Sequence, residues 1–508
     1  MPTSDSTATT RSTASLVAGP LLTALVACLA VVTSDLHAQP GRNQPAQTTT
    51  PNRGGTAVVE LSNRPVIRES LGLRLYLPLG AEAQTYEFGG RSSLTVMLPG
   101  DLGVINVQDS AASEQSTLTT LTDGIIRNRL GLNPSRPIPG PGERVSRGAV
   151  ISRAPNLSIS QTNGPTQMAE RAYLAVQDSP TSAAVMGYTV IKPSATRVLT
   201  FELITDPARF ERARQMYELT VASAVIEDPS DIAERRRLGV ETGIRWLQDI
   251  DQQKLTQAVQ AIGEDWRYER LYRPNIAGGG DDAAEEIAYR RINARVGRRS
   301  DVNPSSTGGA RALDNQRGYV VRIQSRTLHQ GLVIDSAAVF FLSLDRSEES
   351  WSVEMAVRDQ QTGQVQRSSE IGVRYDDDLP VSTRVGDAPA ETSKPQLHGP
   401  GYVSRVESFL LPYLLIQTGL PAEYRFYSFQ SQSGQIQMRS DVLDRQAESE
   451  LGAWKLTSRL SQDVEPQTSL LGPDGAMLLT TLDDGSRWQP IELSRLGRLW
   501  RAKRLPMT

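Results

Sequence analysis

The sequence predicts an α+β protein of two domains, on three observations. Between residues 56 and 255, short apolar runs separated by turn residues give way to stretches with helical spacing. From Trp266 onward, long alternating runs joined by turn dipeptides predict an antiparallel meander. Inside that β region every residue from Phe409 to Ile416 is apolar, so a helix there has to be enclosed on most sides. The expected division is an export signal at 1–38, a linker at 39–55, a first domain at 56–255, a linker at 256–264 and a second domain at 265–508.

The N-terminus comes first. Leu16–Val32 is apolar with a break at Gly19-Pro20, and the unbroken stretch Leu21–Val32 has the length of a secretory h-region. It falls short of the roughly 20 residues needed to span a bilayer. Ala38 before Gln39 offers a cleavage position for release to the periplasm or beyond. Leu25-Val26-Ala27-Cys28 offers a competing one, resembling a lipobox that would make Cys28 the lipidated first residue of an anchored protein. The apolar run continues past Cys28 to Val32, which favours plain cleavage near Ala38 over lipidation or an uncleaved anchor. Gln39–Gly55 holds Pro, Gln, Thr and Gly and reads as a solvated tether.

In the first domain, Leu71–Pro78, Thr85–Phe88, Ser93–Leu98 and Val104–Gln108 read as strands. Ser116–Leu130 places Leu118, Leu121, Ile125 and Leu130 near helical spacing, with Ser116 or Thr117 as a cap. Four prolines exclude regular structure from Gly131–Gly142. Strands follow at Arg171–Gln177, Val185–Lys192 and Arg197–Ile204. Asp206-Pro207 and Asp228-Pro229 each start a helix, the first with a stripe of Phe210, Ala213, Met216, Tyr217 and Leu219. The second runs to about Asp249 with Ile232, Leu238, Ile244 and Leu247, and its Arg235-Arg236-Arg237 run is a solvated face that Glu234 and Glu241 can pair. The entry strand LGLRLYLP, the helix near residue 120, the pair VMGYTVI and RVLTFEL, and the closing helix DPARFERARQMYELTVAS together resemble the PsbP/DcrB family. That resemblance implies an α/β sandwich and an exported accessory or binding protein, and it carries no shared catalytic residues.

In the second domain Trp351, Val353, Met355 and Val357 alternate with polar or small residues, a half-buried strand pattern. Thr362-Gly363, Ser433-Gly434, Asp474-Gly475 and Asp484-Gly485 mark hairpins, and Tyr319–Leu328 and Leu332–Leu344 flank Gly331 in the same way. About nine to eleven strands are expected, interrupted by loops at Gly297–Gln316 and Leu379–Gly401. A strongly curved sheet would enclose the helix within Val406–Leu420. The meander, the embedded apolar helix and the late hairpins GPDGAMLL and LDDGSRW resemble the LolA/LolB lipoprotein-carrier fold, a half-barrel closing over helices. On that basis Phe409, Leu410, Tyr413 and Leu414 are the candidate contacts for a hydrophobic or lipid-like ligand. Ile491–Arg504 ends the chain as an amphipathic helix, read as docked on the sheet or, alternatively, as a peripheral contact with anionic lipid.

Composition narrows the chemistry. With 54 Lys and Arg against 57 Asp and Glu the chain lacks the basic excess of a nucleic-acid binder. The one cysteine and one of three histidines fall within the export signal, leaving His329 and His398, which read as a hairpin turn and a loop. That argues against a Cys/His zinc site, a disulfide framework or cysteine catalysis. Asp376-Asp377-Asp378 lacks the alternate spacing of a calcium loop and reads as solvated, and Gly278–Asp282 reads equally as linker. No motif calls for a metal or cofactor. The expectation is a non-enzymatic envelope protein that binds a hydrophobic ligand or a protein partner. The alternatives are a structural interaction module of an envelope assembly and a carboxylate-based hydrolase of envelope polysaccharide.

Overall fold

The computed structural model describes residues 59–88, 91–159, 166–179, 182–275, 280–302, 312–397, 399–446, 454–462 and 464–507. The export signal, Cys28, the tether at 39–55 and His398 lie outside the described residues. Two compact units divide the chain between Arg236 and Arg237.

The first unit holds a small sheet and a large one. The small one joins β1 (Leu61–Arg68), β2 (Leu73–Pro78) and a short strand at Val225–Ile226 in that order. The large one has eight strands: β3 (Glu82–Phe88), β4 (Arg91–Met97), β5 (Val104–Ala111), β6 (Arg144–Val145), β7 (Gly148–Ile159), β8 (Gln167–Ser179), β9 (Ser182–Ser194) and β10 (Arg197–Thr205). Their order across the sheet is 3-4-5-10-9-8-7-6, all antiparallel. Helix α1 (Leu118–Leu130) starts at Thr117, whose hydroxyl accepts from the Thr120 amide at 3.1 Å. It covers the sheet face bearing Ala172, Leu174, Met186 and Tyr188 with Ile126 and Leu130. Helix α2 (Phe210–Ala222) covers the opposite face, packing Phe210, Met216 and Tyr217 on Tyr173, Leu199 and Phe201. Strand alternation explains the split, since Ala172, Tyr173 and Leu174 are consecutive and point to alternate sides.

Two features of this unit differ from expectation. Strand β7 forms where no element is expected, and bulges between Val150 and Ser152 and between Ala154 and Leu157 accommodate its Pro155. Leu219, placed on the buried stripe, is 40% exposed. The arginine run is paired at Glu241 as the sequence suggests, 2.5 Å from Arg237, and also has Arg235 at 2.5 Å from Glu227 and Arg236 at 3.6 Å from Glu69.

Helix α3 (Pro229–Gln248) contains the boundary, which therefore lies earlier than residue 255. The stretch expected as a linker is mostly helix α4 (Gln252–Ile262). Asp251 caps it by accepting from the Lys254 amide at 2.8 Å, and Leu255, Ala258, Val259 and Ile262 are buried in the second unit's core. Those four positions have helical spacing, which is why they form a packed element.

The second unit is one sheet of 14 strands. Its first half is β11 (Arg267–Arg273), β12 (Glu285–Arg298), β13 (Arg317–His329), β14 (Leu332–Ser343), β15 (Glu348–Asp359), β16 (Val365–Tyr375), β17 (Val381–Val385) and β18 (Glu391–Ser393). Its second half is β19 (Ala422–Gln430), β20 (Gln435–Arg445), β21 (Trp454–Arg459), β22 (Gln467–Leu471), β23 (Met477–Thr481) and β24 (Arg487–Pro490). The order runs from β18 back to β11, crosses to β24, and runs back to β19. β17 and β18 lie within the expected loop Leu379–Gly401, because Leu379 and Val381 carry apolar side chains into the core. Gly363, Gly434, Gly475 and Gly485 all adopt the positive φ that the predicted hairpins demand.

Between the two arms of this order sits helix α5 (Arg405–Ile416), with its proline at Pro412. It shares one core with Phe340, Trp351, Val353, Tyr424, Phe426, Trp454 and Leu471. Strands far apart in the order meet there, and the rings of Trp351 on β15 and Phe429 on β19 lie 5.5 Å apart. Helix α6 (Leu493–Ala502) docks on the sheet by Leu496, Leu499 and Trp500, with Trp500 edge-on to Tyr289 at 4.7 Å.

Candidate functional site

Helix α5 is the feature on which the sequence placed a ligand, and its two ends and two sides differ. At the N-terminus, Ser404 and Glu407 form a capping box, the Ser404 hydroxyl accepting from the Glu407 amide at 3.1 Å. Two buried carboxylates of the sheet converge on the same end. Glu349 on β15 accepts the Arg405 amide at 2.5 Å and the Tyr402 hydroxyl at 3.1 Å, with the Arg374 guanidinium at 3.5 Å. Glu370 on β16 accepts from the Trp351 indole at 2.8 Å and the Ser431 hydroxyl at 2.9 Å, with Arg405 at 3.4 Å. The helix's own Glu407 pairs with Arg346 at 2.6 Å. Carboxylates at a helix N-terminus sit at its positive dipole end and complement the free amides there.

Burial decides the electrostatics of this end. Desolvation pushes the Glu349 carboxyl above its ordinary range, ahead of the opposing pull of Arg374 and Arg405. Tyr402 is driven well up by burial and then by the Glu349 charge beside it. Arg405 lies over the rings of Phe429 at 5.1 Å and Trp351 at 5.5 Å, so its charge is shared between Glu370 and aromatic faces. The arrangement seals the helix to the sheet. Each carboxylate is occupied by donors, and Glu349 and Glu370 are each only 1% exposed, a poor setting for acid–base work on a polysaccharide.

Along the helix, one side is sealed and the other is not. Leu410, Leu411, Leu414 and Leu415 are buried in the core, so the candidate contacts Leu410 and Leu414 belong to packing. Phe409, Pro412, Tyr413 and Ile416 are only half covered and follow one another at helical spacing. Phe409 meets Phe340 with ring centroids 5.3 Å apart. Tyr413 is closely approached by the hairpin turn at Gly475, where a Cβ would come within 2.7 Å of the Tyr413 Cα. Its hydroxyl accepts from Arg267 Nη1 at 3.4 Å, a contact that no sequence pattern announces.

The other candidates are scattered. His329 ends β13 at its hairpin, half-buried. Asp376, Asp377 and Asp378 form an exposed turn closed by the Tyr375–Asp378 bridge. Gly280–Ala283 is a short helical turn, whereas Gly278 and Gly279 lie outside the described residues. Among the described residues no group of three or more Cys, His, Asp and Glu is placed to hold a metal ion. No described helix is long and apolar enough to cross a membrane.

No protein-family model and no curated protein matches the chain. Among solved structures it is similar to a cyanobacterial PsbP from Synechocystis, at 16% identity, covering 34% of this chain and 96% of that one, with a TM-score of 0.23. It is also similar to a beta-barrel-like protein of the domain of unknown function DUF1849 from Brucella abortus, at 11% identity, covering 45% of this chain and 95% of that one, with a TM-score of 0.29. The first bears the name of the family that the N-terminal segments resemble. Neither bears the name of a lipoprotein carrier.

Proposed function

We propose that the second unit binds a hydrophobic or lipid-like ligand along the half-covered side of α5, in a non-enzymatic protein that works in the cell envelope after export. The observation that carries this reading is the asymmetry of the helix. Its Leu410–Leu415 side is sealed, whereas Phe409, Pro412, Tyr413 and Ile416 are left partly open. Apolar residues contiguous along one side mark a contact surface more often than scattered ones do.

The sheet supports the same reading. In a flat sheet with strands about 4.8 Å apart, ten positions separate β15 from β19 by roughly 48 Å. Their Trp351 and Phe429 rings nevertheless touch at 5.5 Å. A half-barrel curved around α5, in the manner of the LolA/LolB fold, brings such strands together. The test is titration of the full-length chain with a fluorescent acyl probe. Saturable binding that Phe409→Ala weakens by at least about tenfold supports the proposal, and no saturable binding overturns it.

A second reading, docking of an envelope protein, is favoured by Val365, Ile371 and Tyr375. They lie on one side of β16 and are 47%, 44% and 37% exposed. Ile371→Arg then abolishes capture of a partner while leaving acyl binding unchanged. Contact of α6 with anionic lipid would run through its exposed Arg498 and Arg501, since its Leu496, Leu499 and Trp500 are spent on the core.

A further inference from the structure

A cation lies beside Tyr413 on the half-covered side of α5. Arg267, at the start of β11, is exposed, and its guanidinium donates to the Tyr413 hydroxyl at 3.4 Å and to the Ala261 carbonyl. Both partners are neutral, and no described carboxylate lies within ion-pair distance of Arg267. Of the two acids around Tyr413, one is ion-paired and the other is held only by a backbone amide. Glu269 is held by Arg290 at 2.5 Å, and Asp474 accepts the Ala476 amide at 3.0 Å within its own turn. Arg290 is in turn stacked on Trp488 at 4.3 Å. One exposed guanidinium, without an ion-pair partner among the described residues, therefore stands beside Tyr413, partway along an apolar stripe that runs about 10 Å from Phe409 to Ile416.

We infer that this site takes a single-chain amphiphile with a carboxylate head, the chain lying along Phe409, Tyr413 and Ile416 and the head on Arg267. A guanidinium presents a planar fork that matches a carboxylate with two parallel hydrogen bonds, and one positive charge matches one negative head. The Tyr413 hydroxyl holds the fork beside the stripe, so head and chain are recognised at adjoining places. The inference rests on the apolar-ligand reading above and adds the head group to it.

The experiment compares decanoate, below its micellar concentration, with decanol, below its solubility limit, on the full-length protein at pH 8 by calorimetric titration. Decanoate is expected to bind at least about tenfold more tightly, the scale of a hydrogen bond to a charged group. Arg267→Ala, an exposed position, is expected to abolish that preference. Equal binding of the two by the natural protein overturns the head-group assignment alone. So does a preference that survives Arg267→Ala. No binding of either overturns the apolar-ligand reading, and the head group with it.

Discussion

Glu218 in the first unit and Glu349 in the second are held by the same kinds of partner and titrate in opposite directions. Glu218 on α2 accepts the Tyr173 hydroxyl at 2.8 Å and meets Arg214 at 3.0 Å and Arg171 at 3.3 Å. Glu349 accepts the Tyr402 hydroxyl at 3.1 Å and the Arg405 amide at 2.5 Å, with Arg374 at 3.5 Å. The Glu218 side chain is 35% exposed and that of Glu349 is not exposed at all. Burial works to raise both. At Glu218 the tyrosine and arginines outweigh it and the carboxyl sits low, whereas at Glu349 burial prevails and the carboxyl sits high. Partner type does not set the sign; access to water does.

The largest expected effect comes from breaking the buried side of this comparison. Glu370→Ala removes the acceptor of Arg405, Trp351 and Ser431 at once, leaving a largely buried guanidinium without its ion-pair partner. Loss of one partner of a buried pair costs about 3–5 kcal/mol. Urea unfolding followed by tryptophan fluorescence measures it, and a loss under about 1 kcal/mol shows that water reaches the cluster. Next in size is Gly372→Ala, on β16 directly over the Trp351 ring. An added Cβ there overlaps the indole, so the ring that donates to Glu370 has to move. Overpacking of this kind costs about 1–3 kcal/mol, read from the same unfolding curves.

Much of this was legible in the sequence, and the exceptions have physical causes. Helices α1, α2, α3 and α5 all announce themselves by caps or periodicity, as Thr117, Asp206-Pro207, Asp228-Pro229 and the run through Ile416 show. Strand β7 does not, since Pro155 and the two bulges break the regular alternation of a strand. The polar end of α5 was hidden for another reason. Glu349, Glu370 and Arg405 are separated along the chain by strands and turns, and only strand pairing assembles them. Leu410 and Leu414 were legible as apolar, but apolarity cannot distinguish a filled core from an open side. Arg267 carried no signal because its partner Tyr413 lies far along the chain.

A smaller effect appears in pH dependence rather than in stability at one pH. Because burial raises the Glu349 carboxyl, the folded state binds that proton more readily than the unfolded chain does. Its contribution is fully present below the unfolded carboxyl value, about 4.3, and is lost as pH rises through the folded value. Glu349→Gln is neutral throughout and lacks this dependence. Relative to the natural protein it therefore gains stability between pH 4 and pH 7, measured by denaturant unfolding at each pH.

Glu218→Gln is the smallest change expected and runs the other way. The Tyr173 hydroxyl and the arginines hold the natural carboxyl below its ordinary range against the effect of burial, so the folded state favours the ionised form. That stability is present above the unfolded carboxyl value and is lost as pH falls through the lower folded one. The glutamine variant therefore falls behind the natural protein between pH 3 and pH 7. With more than a third of its side chain in water, the loss at neutral pH is expected to stay under about 1 kcal/mol. Added salt tests the cause. Screening should shrink the Glu218→Gln difference, since its arginines are partly solvated, and leave the Glu349→Gln difference nearly unchanged, since its partners are buried. If both differences respond to salt alike, water access is not what separates the two carboxylates.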